Sequence, residues 1–152
     1  MGVDVSSAIR TALFQAISGI SVDGIAIPVF DGIVNPNVAI PTIRNANVYI
    51  VLQDQQESEA PNQNMCSERI MANITVRIVT KYATGGVVDR TLCDTIAGLV
   101  HAAVRTGRKH NLTSSAVNIQ NVDYPVSRNV DEFADGQTAL SKVMIYSIIA
   151  TI

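Results

Sequence analysis

The chain has 152 residues, of which 47% are hydrophobic and 16% charged, and its formal net charge is −2. The length suits one domain, spanning 1–152, with a core of its own. The slight acid excess argues against a dedicated nucleic-acid binder, which carries a basic surplus, and no run reaches the roughly 18 apolar residues of a helical membrane span.

Charge is scarce beside the roughly 25% of an average soluble domain. Aromatics make up 5% and Trp is absent, so the apolar mass is Ile, Val and Ala. That mixture suits sheets, and a surface so poor in charge points to coverage by partner subunits. The N-terminus has no basic segment, and Ser18 and Gly19 interrupt its apolar stretch, so no signal peptide is expected. Cys66 and Cys93 have no second Cys or His at ligand spacing. Neither a zinc site nor a disulfide framework is expected from them.

In chain order, residues 4–18 read as an amphipathic helix. Val5, Ile9, Ala12, Leu13, Ala16 and Ile17 recur at helical spacing, Asp4 or Ser6 can cap the start, and Gly19 can stop it. Residues 25–30 read as a short strand, placed at an edge by Pro28. Asp31-Gly32 turns the chain, and 33–46 read as a loop. Residues 47–53 form the next strand. The polar stretch from Asp54 to about Asn64 reads as a long loop. From 66 to 80 the sequence alternates, with Ile70, Ala72, Ile74, Val76 and Ile78 on one face and Arg69, Asn73, Thr75 and Arg77 on the other.

Gly85-Gly86 breaks this strand, and Asp89 caps a second helix over 89–104 with Leu92, Ile96, Leu99, Val100 and Ala103 as its buried stripe. Gly98 inside it suggests a close approach to a strand. Residues 105–114 read as a basic loop, 115–124 as a strand ended by Pro125, 126–136 as a polar loop, and 138–152 as a long final strand. That last strand is apolar on both sides, with Val143, Ile145 and Ile149 on one and Met144, Tyr146, Ile148 and Ile152 on the other. A strand of this kind is covered on both sides. Two helices cover one face of the sheet, leaving the second to a partner or to the long loops. The order α-β-β-β-α-β-β, with strands in runs, gives an α+β fold: a mostly antiparallel sheet with two packed helices.

Reactive chemistry is sparse. His101 lies near Asp94 and Arg105 at helical spacing, a pair that could do acid–base work, although a solvated helix face explains it more simply. Cys93 sits beside the buried stripe and reads as core. Gly85-Gly86 precedes a helix but lacks the Lys-Ser/Thr of a phosphate loop. No catalytic, cofactor or metal residues are assigned, and no enzymatic activity is expected. Arg105, Arg108, Lys109 and His110 cluster after the second helix in a basic patch that suits either a helix C-terminus or phosphate contact. Asp54, Glu57, Glu59 and Glu68 form one acidic group, and Asp131, Glu132 and Asp135 another. They read as solvated loops, as an acidic lining beside a DNA path, or as partners for the basic patch of a neighbouring subunit.

Several segments carry a resemblance. They are Ile27 to Gly32 (Ile-Pro-Val-Phe-Asp-Gly), Val48-Tyr49-Ile50-Val51-Leu52, Ile74-Thr75-Val76-Arg77-Ile78-Val79, Asp89-Arg90-Thr91-Leu92, and Lys142-Val143-Met144-Ile145-Tyr146. In this order, after an N-terminal helix, the chain resembles the tail-terminator and tail-completion (neck ring) proteins of long-tailed bacteriophages. It departs from their pattern in the length of Asn35–Asn47 and in the elaboration of Thr106–Asp135, which leaves terminator, stopper and other neck rings open as roles. The resemblance implies a virion protein, present in the host cytoplasm during assembly. It implies a homo-oligomeric ring, a hexamer by preference, that ends the tail tube, meets the tube protein and the head connector, and passes genomic DNA without reading its sequence. No membrane is involved. The loop 54–65 and the strand 69–80 are then expected at subunit or tube contacts. The candidate contact residues are Asp54, Glu57, Glu59, Arg69, Arg77, Arg105, Arg108, Lys109, Met144, Tyr146 and Ile148.

Overall fold

The computed structural model describes residues 4–59, 69–83, 85–134 and 136–151. Its first helix, α1 (Val5–Ile17), starts where the Asp4 carboxylate accepts from the Ser7 amide, and buries Val5, Ile9, Ala12, Leu13 and Ile17. The expected strand at 25–30 divides in two. Ile25–Ala26 (β2) pairs with Ser21–Val22 (β1), and Val29–Asp31 (β3) joins the main sheet. The expected loop at 33–46 contains a two-residue strand, Thr42–Ile43 (β4).

The centre of the molecule is three long strands: β5 (Ala46–Glu59), β6 (Arg69–Tyr82) and β11 (Gln137–Thr151). Between the last two come α2 (Arg90–Val104), the small strands β7 (Arg105–Thr106) and β8 (Lys109–His110), and then β9 (Asn118–Val122) and β10 (Val126–Ala134). The sheet runs β10-β11-β6-β5-β3, with β4 also on β5 and β9 also on β11. All its pairs are antiparallel except β3 on β5. The fold is α+β with a mostly antiparallel sheet and two helices.

Both helices pack on one face. Val48, Ile50 and Leu52 of β5, Ala72, Ile74, Val76 and Ile78 of β6, and Met144, Tyr146 and Ile148 of β11 point into that core. α2 contributes Leu92, Cys93, Ile96, Ala97, Val100 and Val104. Each fully buried aliphatic side chain is worth about 1.5–3 kcal/mol of transfer free energy, so this layer is the main apolar store of the fold. Leu99, expected in the buried stripe, is 38% exposed. Gly98 has open space where a Cβ would stand, so no close strand explains it.

Two expected loops are strands. Residues 54–59 continue β5, held by pairing to β6 from Gln55↔Ile74 to Glu59↔Ile70. Residues 126–134 are β10, laid along β11 from Val126↔Ile145 to Ala134↔Gln137. Backbone pairing fixes both where apolar periodicity is missing. The strand expected at 115–124 is shorter, and the basic loop contains the β7–β8 hairpin. Residues 60–68, with Cys66 and Glu68, lie outside the described residues, as do Asp135 and Ile152.

Candidate assembly surface

The sheet face away from the helices carries no helix among the described residues. Its rows follow from the register: Asn47, Lys81, Ala139 and Glu132; then Tyr49, Val79, Ser141 and Val130; then Val51, Arg77, Val143 and Arg128; then Thr75, Ile145 and Val126; then Gln56, Asn73 and Ser147; then Ser58, Met71 and Ile149. Phe30 stands edge-on to Tyr49, with ring centroids 6.1 Å apart. Gly32 and Val34 help Tyr49, Val51, Arg77 and Glu132 line a cleft of about 230 Å³. The loop after β3 thus shields one corner, and beyond it Ile145 and Val126 are exposed.

This parity corrects the expected contacts on the last strand. Met144, Tyr146 and Ile148 are 3%, 0% and 0% exposed against the helices. Val143, Ile145 and Ile149 are the residues on the helix-free face. A strand apolar on both sides offers no sequence signal for which side the helices take. Only its pairing with β6 settles the matter.

Arg77 also lies on the helix-free face. Its guanidinium donates to Glu132 at 3.1 Å and to the Ser141 hydroxyl at 3.2 Å, tying three strands together. Glu132 is therefore a strand residue in an ion pair, not a loop acid, and Asp131 on the opposite side of β10 accepts from Arg90 at 2.9 Å. Arg69 donates across β11 to Gln120 of β9 at 3.0 Å. Arg77 and Arg69 thus act first as links within the sheet.

Asp54 lies at an irregularity in β5. The register passes from Leu52↔Val76 to Gln55↔Ile74, which inserts one extra residue on β5. Such a bulge reverses the facing of everything after it. Gln55 now points to the helix side and donates to the Ser6 carbonyl of α1 at 3.0 Å. Glu57 follows on that same side, exposed, while Glu59 ends the strand. Arg10 of α1 holds the bulge. It donates to the carbonyls of Leu52 and Gln53 at 2.8 Å each and pairs with Asp31 at 2.6 Å. Sequence reading gave Arg10 no role, because its partners are backbone atoms 42 and 43 residues away.

The basic patch does not act as one unit. Arg108 and Lys109 are exposed at the β7–β8 turn, whereas Arg105 is half-buried and opposes His110 across that hairpin. His110 Nε2 lies 2.9 Å from the Ile119 carbonyl, which attaches the hairpin to β9. Asn111 completes the end of α2 by donating to the carbonyls of Ala102 and Ala103.

The residues weighed for acid–base chemistry are kept apart. Asp94 accepts from Lys142 at 2.9 Å. His101 is half-buried and packs edge-on to Tyr124 at 4.7 Å, with Nδ1 3.4 Å from the Tyr146 hydroxyl. Burial, helped by Arg105, holds its pKa below the usual imidazole value. Cys93 is buried, and desolvation pushes its thiol up to about 11. A thiol so placed is a poor nucleophile. These three side chains do not form a catalytic group, and His101 belongs to an aromatic cluster, not to a solvated face.

Among solved structures, the chain is similar to one in the virion of a native gene transfer agent particle. The TM-score is 0.67, with 98% of each chain covered and 15% sequence identity. The two chains share a fold. At this identity the likeness is one of architecture, and it extends over both helices and the whole sheet. No protein-family model matches the sequence, and no curated protein does.

Proposed function

We propose that this chain is a structural subunit of a phage-like virion, acting as the ring that closes the head-proximal end of the tail. The single observation that carries this reading is the likeness, over nearly the full length of both chains, to a protein of a gene transfer agent virion. The sequence resemblance to tail-terminator and neck-ring proteins supports the finer role. The helix-free sheet face supports assembly, because a sheet with apolar residues on both faces gains from a covering partner. In this role the protein does its work through contacts. A heterologous interface repeated around an axis makes a ring, the ring ends tube growth, its far side meets the head connector, and DNA passes through its opening without base recognition. Catalysis has no part in it, and the separation of His101, Asp94 and Cys93 is in keeping with this.

The test is electron microscopy of the purified protein in negative stain over a wide concentration range, with mass spectrometry of purified particles. Closed rings with a central opening, and the protein present in particles, are the expected result. A protein that stays monomeric throughout and is absent from particles overturns the proposal.

A further inference from the structure

Each edge of the sheet is half guarded and half open. On one side, β9 and β10 both lie against the same edge of β11, as one strand broken at Asp123–Pro125. The β9 half is covered by the β7–β8 hairpin through His110. The β10 half, Val126–Ala134, pairs with nothing on its outer side among the described residues. On the other side, β3 and β4 cover β5 from Ala46 to Leu52, and no described strand pairs outside Gln53–Glu59, where Arg10 takes only the Gln53 carbonyl. The two open halves sit at diagonally opposite corners.

The geometry points to an interface between copies of this chain in which the open edge of β10 pairs antiparallel with the open edge of β5 in the next copy. This rests on the ring reading above and deepens it by naming the contact. Four observations carry it. Direction comes first: β10 runs antiparallel to β5 through the intervening pairs, so a neighbour in the same orientation brings the two edges together in the antiparallel sense. Stagger is the second. Val130 aligns through Ser141 with Val79, while Gln56 aligns with Asn73, six residues away on β6. That is a rise of roughly 20 Å over four strand spacings of roughly 19 Å, a strand tilt of about 45°, close to that of closed β-barrels. The diagonal offset is therefore what a continuous tilted sheet needs, and it makes the contact head-to-tail, as a ring requires.

Charge is the third observation. The open β5 edge has Asp54 and Glu57 and no base between Gln53 and Glu59. On β10 the acids Asp131 and Glu132 are taken by Arg90 and Arg77, while Arg128 has no ion-pair partner among the described residues. The fourth is exposure. Tyr124, Val126 and Phe133 are 73%, 73% and 77% exposed along this one edge. Long open edges bearing large apolar groups are what folded proteins avoid unless another strand is to add there.

Cross-linking tests the contact. In a Cys66→Ser background, Val130→Cys and Gln56→Cys together place thiols opposite each other on the helix-free side of the two edges, while buried Cys93 stays out of reach. Oxidation is expected to give a ladder of head-to-tail oligomers ending in a closed species, and neither single variant gives that ladder. Two proline variants check the edge without new thiols. Neighbouring residues of a strand point their amides to opposite sides, so of Arg128→Pro and Asn129→Pro one breaks the β10–β11 ladder and lowers Tm. The other keeps Tm and is expected to cut the assembled fraction by about tenfold or more. If the wild type forms rings while the double-cysteine variant gives no ladder and the stable proline variant still assembles, the edge contact is wrong and the ring reading stands. If the wild type forms no rings and no oligomers cross-link, both fall.

Discussion

The guanidinium of Arg10 donates to the carbonyl of Gln53 at 2.8 Å, where β5 gains its extra residue. A bulge leaves backbone groups without ladder partners, and here a helix side chain supplies them. The same side chain pairs with Asp31 at the end of β3, so α1, β3 and the bulge are fastened at one point. Arg10→Ala removes charge-assisted bonds and leaves the Gln53 carbonyl without Arg10, while Leu52 keeps the Gly32 amide. The expected loss is about 2 kcal/mol, seen as a Tm lower by several degrees in a thermal melt. Arg10→Lys, which cannot fork to two carbonyls and a carboxylate, should recover only part of it.

Adjacent residues of β11 should behave oppositely. Met144 is buried under the helices and Ile145 is 37% exposed on the other face. Met144→Ala is expected to cost about 2–5 kcal/mol by leaving a cavity. Ile145→Ala is expected to cost under about 1 kcal/mol while weakening association. Denaturant unfolding and sedimentation, run on both variants, separate the two effects. Equal stability losses would contradict the assignment of faces.

His101 should make the fold acid-sensitive in a defined window. Its folded pKa is lowered from 6.5, first by burial and then by Arg105. The unfolded chain then binds the proton more readily than the folded one, so stability falls as pH drops through about 6.5 and the penalty is complete below the folded pKa. Above that range the group contributes no slope. His101→Phe keeps a ring against Tyr124 and removes the titration, so its Tm should change less between pH 7 and pH 5.5 than that of the wild type. Identical slopes would show that His101 does not carry the effect.

Gly98 lies inside α2 with open space at its missing Cβ. Gly98→Ala should therefore stabilise the monomer by about 0.5–1 kcal/mol, measured as a higher denaturation midpoint at unchanged slope. A loss of stability would reveal packing at this position that the open space does not provide for.

What the sequence disclosed follows a physical line. The helices and β6 were legible because their apolar residues carry the period of the element, as in Ile70 to Ile78. Strand β10 was not, because Arg128, Asn129, Asp131 and Glu132 lie on an edge and their conformation comes from β11. Residues 54–59 failed for the same reason, a wholly polar stretch extended by its partner. The contact residues were the least legible part. Whether Met144 or Ile145 faces outward depends on register, and the role of Arg10 depends on carbonyls supplied by a bulge that no residue type announces.

The position of β11 also bears on synthesis. It follows, in the chain, every strand with which it pairs. While the ribosome makes residues 83–136, β6 has a neighbour on one side only, and the row Ala72, Ile74, Val76 and Ile78 lacks half of its final surroundings. Translation halted before Gln137 would leave that row without its β11 neighbours and β9 and β10 with nothing to join. Such fragments are targets for chaperones and proteases, and the sheet reaches its final width only after the last of its long strands has left the ribosome.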